Sequence, residues 1–89
     1  HVKYNEIEII KKCQKGDMDS FDILVSMFSE RAYAVAFSIM GNKHDASDMA
    51  QEAFIKVFRN IDSLKGVFSF GCWFINIVFN QCFDYLKKR

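Results

Sequence analysis

The chain has no proline and only four glycines in 89 residues. Proline-punctuated turns are excluded, and with no run of alternating apolar and polar residues nothing argues for a β-sheet. Three cysteines, Cys13, Cys72 and Cys82, form no CxxC pair and have no histidine at ligand spacing. Cys72 and Cys82 would lie about 15 Å apart on one helix, too far to bond to each other. The expectation is buried free thiols in a reducing cytoplasm, with no metal site and no cofactor. Of the two histidines, only His44 is internal, and it is read into a loop. No apolar run approaches the ~18 residues of a membrane span, and no signal-peptide pattern is present. Serine, cysteine and histidine fall into no nucleophile and base arrangement, the acids lie on exposed helix faces, and no glycine-rich phosphate loop exists. Catalysis is therefore not expected. A net charge of +1 lacks the broad basic surface of a dedicated duplex binder, so any nucleic-acid contact must be local.

What is present is apolar content, 51% overall and 16% aromatic, enough for a single core over residues 1–89. The pattern predicts an all-α fold, a compact bundle of four helices. Tyr4 to Lys15 reads as a short amphipathic helix with Ile7, Ile10 and Cys13 or Val2 inward, stopped by Gly16. Asp17 caps the next helix, whose stripe of Phe21, Leu24, Val25, Phe28, Ala32, Val35, Ala36 and Ile39 ends at Gly41. From Asp45 to Phe58 a third helix is expected, with Asp45 as cap and Asp48 in the reciprocal position. Ala50, Ala53, Phe54, Val57, Phe58 and Ile61 form its buried stripe, leaving Asp48, Gln51, Glu52 and Lys56 outside.

A break at residues 61–69 precedes the last helix, Phe70 to Lys88, which Gly71 weakens in its first turn by up to about 1 kcal/mol relative to alanine. At ~100° per residue, Phe70, Phe74, Ile77, Val78, Cys82 and Tyr85 share a core face. Trp73, Asn76, Asn80, Asp84 and Lys87 form a second stripe, polar except for the indole. Cys72, Ile75, Phe79, Phe83 and Leu86 make a third, apolar face that needs cover from the first helix or from another protein. On the second stripe, Trp73 could stack on an opened base and Asn80 could both donate to and accept from its edge, stacking being worth about 1–3 kcal/mol per base.

Asp45, Asp48, Gln51, Glu52 and Phe54 in the pattern D-x-x-D-x-x-Q-E-x-F, followed by the aromatic-rich FSFGCWFINIVFN and by Asp84-Tyr85-Leu86, resemble region two of the extracytoplasmic-function sigma factors. These are bacterial initiation subunits of RNA polymerase. The likeness starts at Lys15, Gly16, Asp17 and Phe21 and covers nearly the whole chain. The resemblance implies that Asp48, Gln51 and Glu52 grip a coiled coil of the beta-prime subunit of core RNA polymerase. It further implies that Ser63, Leu64, Lys65 and Gly66, with Trp73, Asn76, Asn80, Asp84 and Lys87, contact the non-template single strand of the melted minus-ten promoter element. An anti-sigma factor is an implied partner. Where the family commonly has an acid after the loop glycine, a basic or tyrosine side chain and an arginine, this chain has Val67, Gly71 and Asn76, which weakens two phosphate contacts. The family pattern continues into a second helical domain, so the 89 residues are expected to be part of a longer chain. The alternative is a sigma-like module that binds a regulatory protein and has lost DNA contact.

Overall fold

The computed structural model describes residues 5–65 and 70–89, and among them the regular elements are four α-helices and one 3-10 turn. The first helix, α1 (Glu6–Gln14), starts where the Asn5 side chain accepts the Glu8 N–H at 3.2 Å. It is shorter than expected at both ends, and Tyr4 and Val2 lie outside the described residues. Ile9, Ile10 and Cys13 face inward. Ile7, expected inside, is 47% exposed because it lies about 60° beyond that arc on the helical wheel.

Gly16, at φ 92°, turns the chain into α2 (Met18–Met40), and Asp17 caps it by accepting the N–H groups of Asp19 and Ser20. Gly41, at φ 81°, ends it in a left-handed conformation, with its N–H donated to the Phe37 carbonyl. Both ends match the expectation. Leu24, Phe28, Ala32 and Ala36 recur at helical spacing and are buried. By length and composition α2 does match a membrane span, with mean hydropathy 1.4 over 18 residues, where no such stretch was expected. In the bundle it packs against α1, α3 and α4, although only 22% of that stretch is buried.

The third helix, α3 (Lys43–Asn60), begins earlier than expected, and its cap is Asn42, not Asp45. Asn42 accepts the Asp45 N–H at 2.8 Å and its amide donates to the Asp45 carboxylate at 2.9 Å, so Asp45 takes the reciprocal position three residues in. His44 therefore lies in the first helical turn rather than in a loop. The inward stripe is Ala46, Met49, Ala50, Ala53 and Val57, with Phe54 half-buried. Phe58, expected in the core, is 50% exposed and stands edge-on to Phe21 at 5.3 Å.

A 3-10 turn, Ile61–Ser63, buries Ile61, and the Leu64 side chain follows it into the core. The Gln14 amide donates to the carbonyls of Ile61 at 3.0 Å and Leu64 at 3.2 Å, which ties this segment to α1. The last helix, α4 (Phe70–Lys88), buries Phe70, Phe74, Val78 and Cys82. Tyr85, expected with them, is 38% exposed, because α4 there runs beyond its neighbours' cover. Phe28 meets Phe70 and Phe74 edge-on at 5.0 and 5.6 Å, and Phe54 lies 5.0 Å from Phe74. Such ring pairs contribute about 0.5–1.5 kcal/mol each beyond their buried area. They lock α4 against α2 and α3 at the level of Trp73. Phe79 and Phe83 stack on each other at 6.3 Å but remain 38% and 49% exposed, and α1 packs on α2 and the 3-10 turn, not on α4. Among the described residues, cover by the first helix is thus excluded.

Candidate nucleic-acid interface

Between the C-terminal half of α3 and the middle of α4 runs an open groove of about 400 Å³. Trp73, Ile77, Asn80 and Asp84 line it from α4, and Lys56, Asn60 and Ser63 line it from the other side. Trp73 is half-buried, its indole tilted against the buried Phe70 ring at 5.8 Å, so its position is set by the core. Asn60 and Ser63 are held in turn: the Asn60 amide donates to the Lys56 carbonyl at 2.8 Å, and the Ser63 hydroxyl to the Asn60 carbonyl at 2.7 Å. Asn80 and Asp84 are exposed, and among the described residues neither makes a side-chain hydrogen bond, so both keep their polar edges for a ligand. A flat aromatic face, two carboxamides, a hydroxyl, a carboxylate and one ammonium in a shallow groove suit a planar heterocycle with donors and acceptors on its rim.

Of the residues singled out in the sequence, Ser63, Trp73, Asn80 and Asp84 come together here. Asn60 joins them unannounced, with Lys56, read only as part of the outer face of α3, and Ile77, expected on the core face but half-buried at the groove. Helical spacing could have found the first two, since Lys56 and Asn60 continue by fours the stripe of Asp48 and Glu52. Asn76 lines a different groove with Arg31, Gly71, Cys72 and Ile75. Lys65 and Lys87 are exposed and line neither groove, and Gly66 lies outside the described residues. Leu64 has its side chain in the core, and its carbonyl accepts from the Gln14 amide.

Asp48, Gln51 and Glu52 are exposed on the outer face of α3. Asp48 faces His44 Nε2 at 3.3 Å, and Gln51 donates to the Ser47 hydroxyl at 3.4 Å. Folding brings donor atoms of His44, Asp45 and Asp48 within 4.8 Å of one another, a cluster the sequence did not suggest; Asn42 already engages Asp45. Gln51 also edges a cleft of about 230 Å³ between α2 and α3, lined by Tyr33, Ser29 and Phe54 among others. Cys13 and Cys82 are buried and burial pushes both thiols up, whereas Cys72 is exposed. The expectation of three buried thiols fails at Cys72 because α4 turns that residue toward the Arg31 groove.

Residues 24–89 match the family pattern described as Sigma-70 region 2. The ECF RNA polymerase sigma factor SigW of Bacillus subtilis is 38% identical over 80 residues, which cover 90% of this chain and 43% of that protein. The ECF RNA polymerase sigma factor SigE of Mycolicibacterium smegmatis is 38% identical over 72 residues, 81% of this chain and 28% of its own length. The chain thus spans less than half the length of these curated relatives. Both are named as RNA polymerase sigma factors. Among solved structures, an engineered region 2 of sigmaE in complex with GTAAAA superposes with a TM-score of 0.88 at 28% identity, covering 96% of this chain and 88% of that one. With a matching pattern over most of its length and a matching four-helix architecture, the chain belongs to the Sigma-70 region 2 family and is similar to its extracytoplasmic-function members.

Proposed function

We propose that the chain serves transcription initiation as a region-two unit, binding core RNA polymerase through α3 and a base of the melted minus-ten strand through the Trp73–Asn80 groove. The observation that carries this is the groove itself: an indole fixed by the core shares one open groove with the Asn80 amide and the Asp84 carboxylate, which among the described residues have no hydrogen-bond partner. The likeness to a sigmaE region 2 solved with GTAAAA supports it. In this reading Asp48, Gln51 and Glu52 meet the beta-prime coiled coil, Lys65 and Lys87 serve the strand's phosphates, and Gly66 belongs to the loop over the base. The 89 residues act as one unit of a longer cytoplasmic factor, and the exposed Phe79–Phe83 pair receives an anti-sigma factor.

The test is fluorescence anisotropy with single-stranded GTAAAA and its single-base variants, using this chain and its complex with core RNA polymerase. Asn80→Ala should relax preference at one position by about 1–3 kcal/mol while leaving the other positions unchanged. Equal losses at every position would make Asn80 a structural residue instead. A second reading, a sigma-like module that binds a regulator, is favoured by the uncovered Phe79 and Phe83 rings. It predicts no single-strand binding even in the polymerase complex.

A further inference from the structure

On the next face of α4, Arg31 of α2 reaches across to Gly71, Cys72, Ile75 and Asn76, and together they bound an open groove of about 520 Å³. The guanidinium carbon of Arg31 lies 5.2 Å from the centroid of the Phe28 ring. Phe28 is buried and meets the stacked pair Phe70 and Phe74 edge-on, so the cation rests on a packed aromatic floor. Gly71 leaves the space before it open: a Cβ there would stand 3.7 Å from Arg31 Nη1, and any longer side chain would grow into the groove. Among the described residues the ion pairs are Lys12–Glu8 and His44–Asp48, and Arg31 joins neither. A planar fork with no carboxylate partner, placed beside an exposed carboxamide, is suited to a phosphate: two oxygens for the guanidinium and a third for the Asn76 amide.

The position of Asn76 connects this groove to the first one. It follows Trp73 by three residues and precedes Asn80 by four, so these side chains are surface neighbours at about 5–6 Å between Cβ atoms. A strand with a base against Trp73 and Asn80 has to pass its backbone over that part of α4. Resting on the base-groove reading above, we infer that the Arg31–Asn76 groove seats a backbone phosphate of the same single strand. Its contribution is affinity without sequence preference, since a phosphate carries no base information.

Cys72 provides a direct readout, because it lines this groove and is exposed while Cys13 and Cys82 are buried. Saturating single-stranded GTAAAA should slow alkylation of Cys72 by iodoacetamide several-fold. Arg31→Gln should weaken GTAAAA and all its single-base variants alike, by about tenfold at low salt, and reduce the salt slope by about 0.7. Arg31→Lys, which keeps the charge and loses the fork, should recover part of both, and circular dichroism reports whether either variant still folds. Undiminished affinity and salt slope in Arg31→Gln, or unprotected Cys72 at saturation, overturns the phosphate seat and leaves the base groove standing. Wild-type binding that shows no base preference yet still depends on Arg31 supports the seat and overturns the base-reading role of Asn80.

Discussion

Asp17 holds the start of α2 with more than a single cap bond. It accepts the Asp19 and Ser20 N–H groups at 3.1 and 3.4 Å and the Ser20 hydroxyl at 3.0 Å. The bonds from Ser20, hydroxyl first, hold its carboxyl below its ordinary value of 3.8. A depressed folded-state value means that the stabilisation is fully present above the ordinary value and is lost as pH falls through the folded one. Asp17→Asn keeps an acceptor for the backbone but removes the charge. Thermal melts followed by circular dichroism should therefore show wild type ahead near neutral pH and the gap closing as pH falls below 3.8 through the lowered folded-state value. A gap independent of pH would mean that the charge contributes nothing. This cap was legible because Gly16 and Asp17 stand together with a long apolar stripe behind them. Phe58 was not: its spacing fits the stripe of α3, yet the bundle has no element opposite it, only the edge of Phe21.

At the scale of elements, the segment between α3 and α4 is placed by a side chain far away in sequence. Gln14 donates both amide hydrogens to carbonyls, one at each end of the 3-10 segment, and is the link that fixes where α3 hands over to the base groove. Gln14→Ala takes the amide donor from the part-buried Leu64 carbonyl and leaves the Ile61 carbonyl only the Leu64 N–H, at a cost of about 1–3 kcal/mol. Urea titration should show the lower midpoint. If the segment positions Ser63, the same variant should also lose affinity for GTAAAA beyond what reduced folding explains. Unchanged stability and affinity would show that water replaces the amide at no cost. Nothing in the sequence pointed to Gln14, because a lone glutamine on an amphipathic helix carries no periodic signal. Helix identities were legible from apolar spacing and caps. The start of α3 was misread because Asn42 and Asp45 are both cap-type residues, and Gly41 reverses the chain so tightly that the earlier one is used at once.

For the molecule as a whole, α3 unites the two proposed contacts. Asp48, Glu52, Lys56 and Asn60 follow one another at four-residue spacing on a single stripe, about 18 Å from end to end at the helical rise. Its first half is acidic and exposed; its second half lines the base groove, and the inward face is locked by Ala53 and Val57, both fully buried. On the proposed reading, polymerase and strand would meet one rigid rod, with charge of opposite sign at the two ends. If a basic coiled coil reads the acidic end, reversing Asp48 and Glu52 to Lys turns attraction into repulsion and should abolish binding to the beta-prime coiled coil. Both side chains are exposed, so the helical circular dichroism should not change. The reversal also adds positive charge one turn from Lys56, so non-selective affinity of the free chain for single-stranded DNA should rise slightly, most at low salt, with base preference at Asn80 intact. Binding to the coiled coil measured by calorimetry and to GTAAAA by anisotropy separates the two effects. Retained coiled-coil binding would remove the acidic face from the polymerase contact and turn attention to the Gln51 and Tyr33 cleft between α2 and α3.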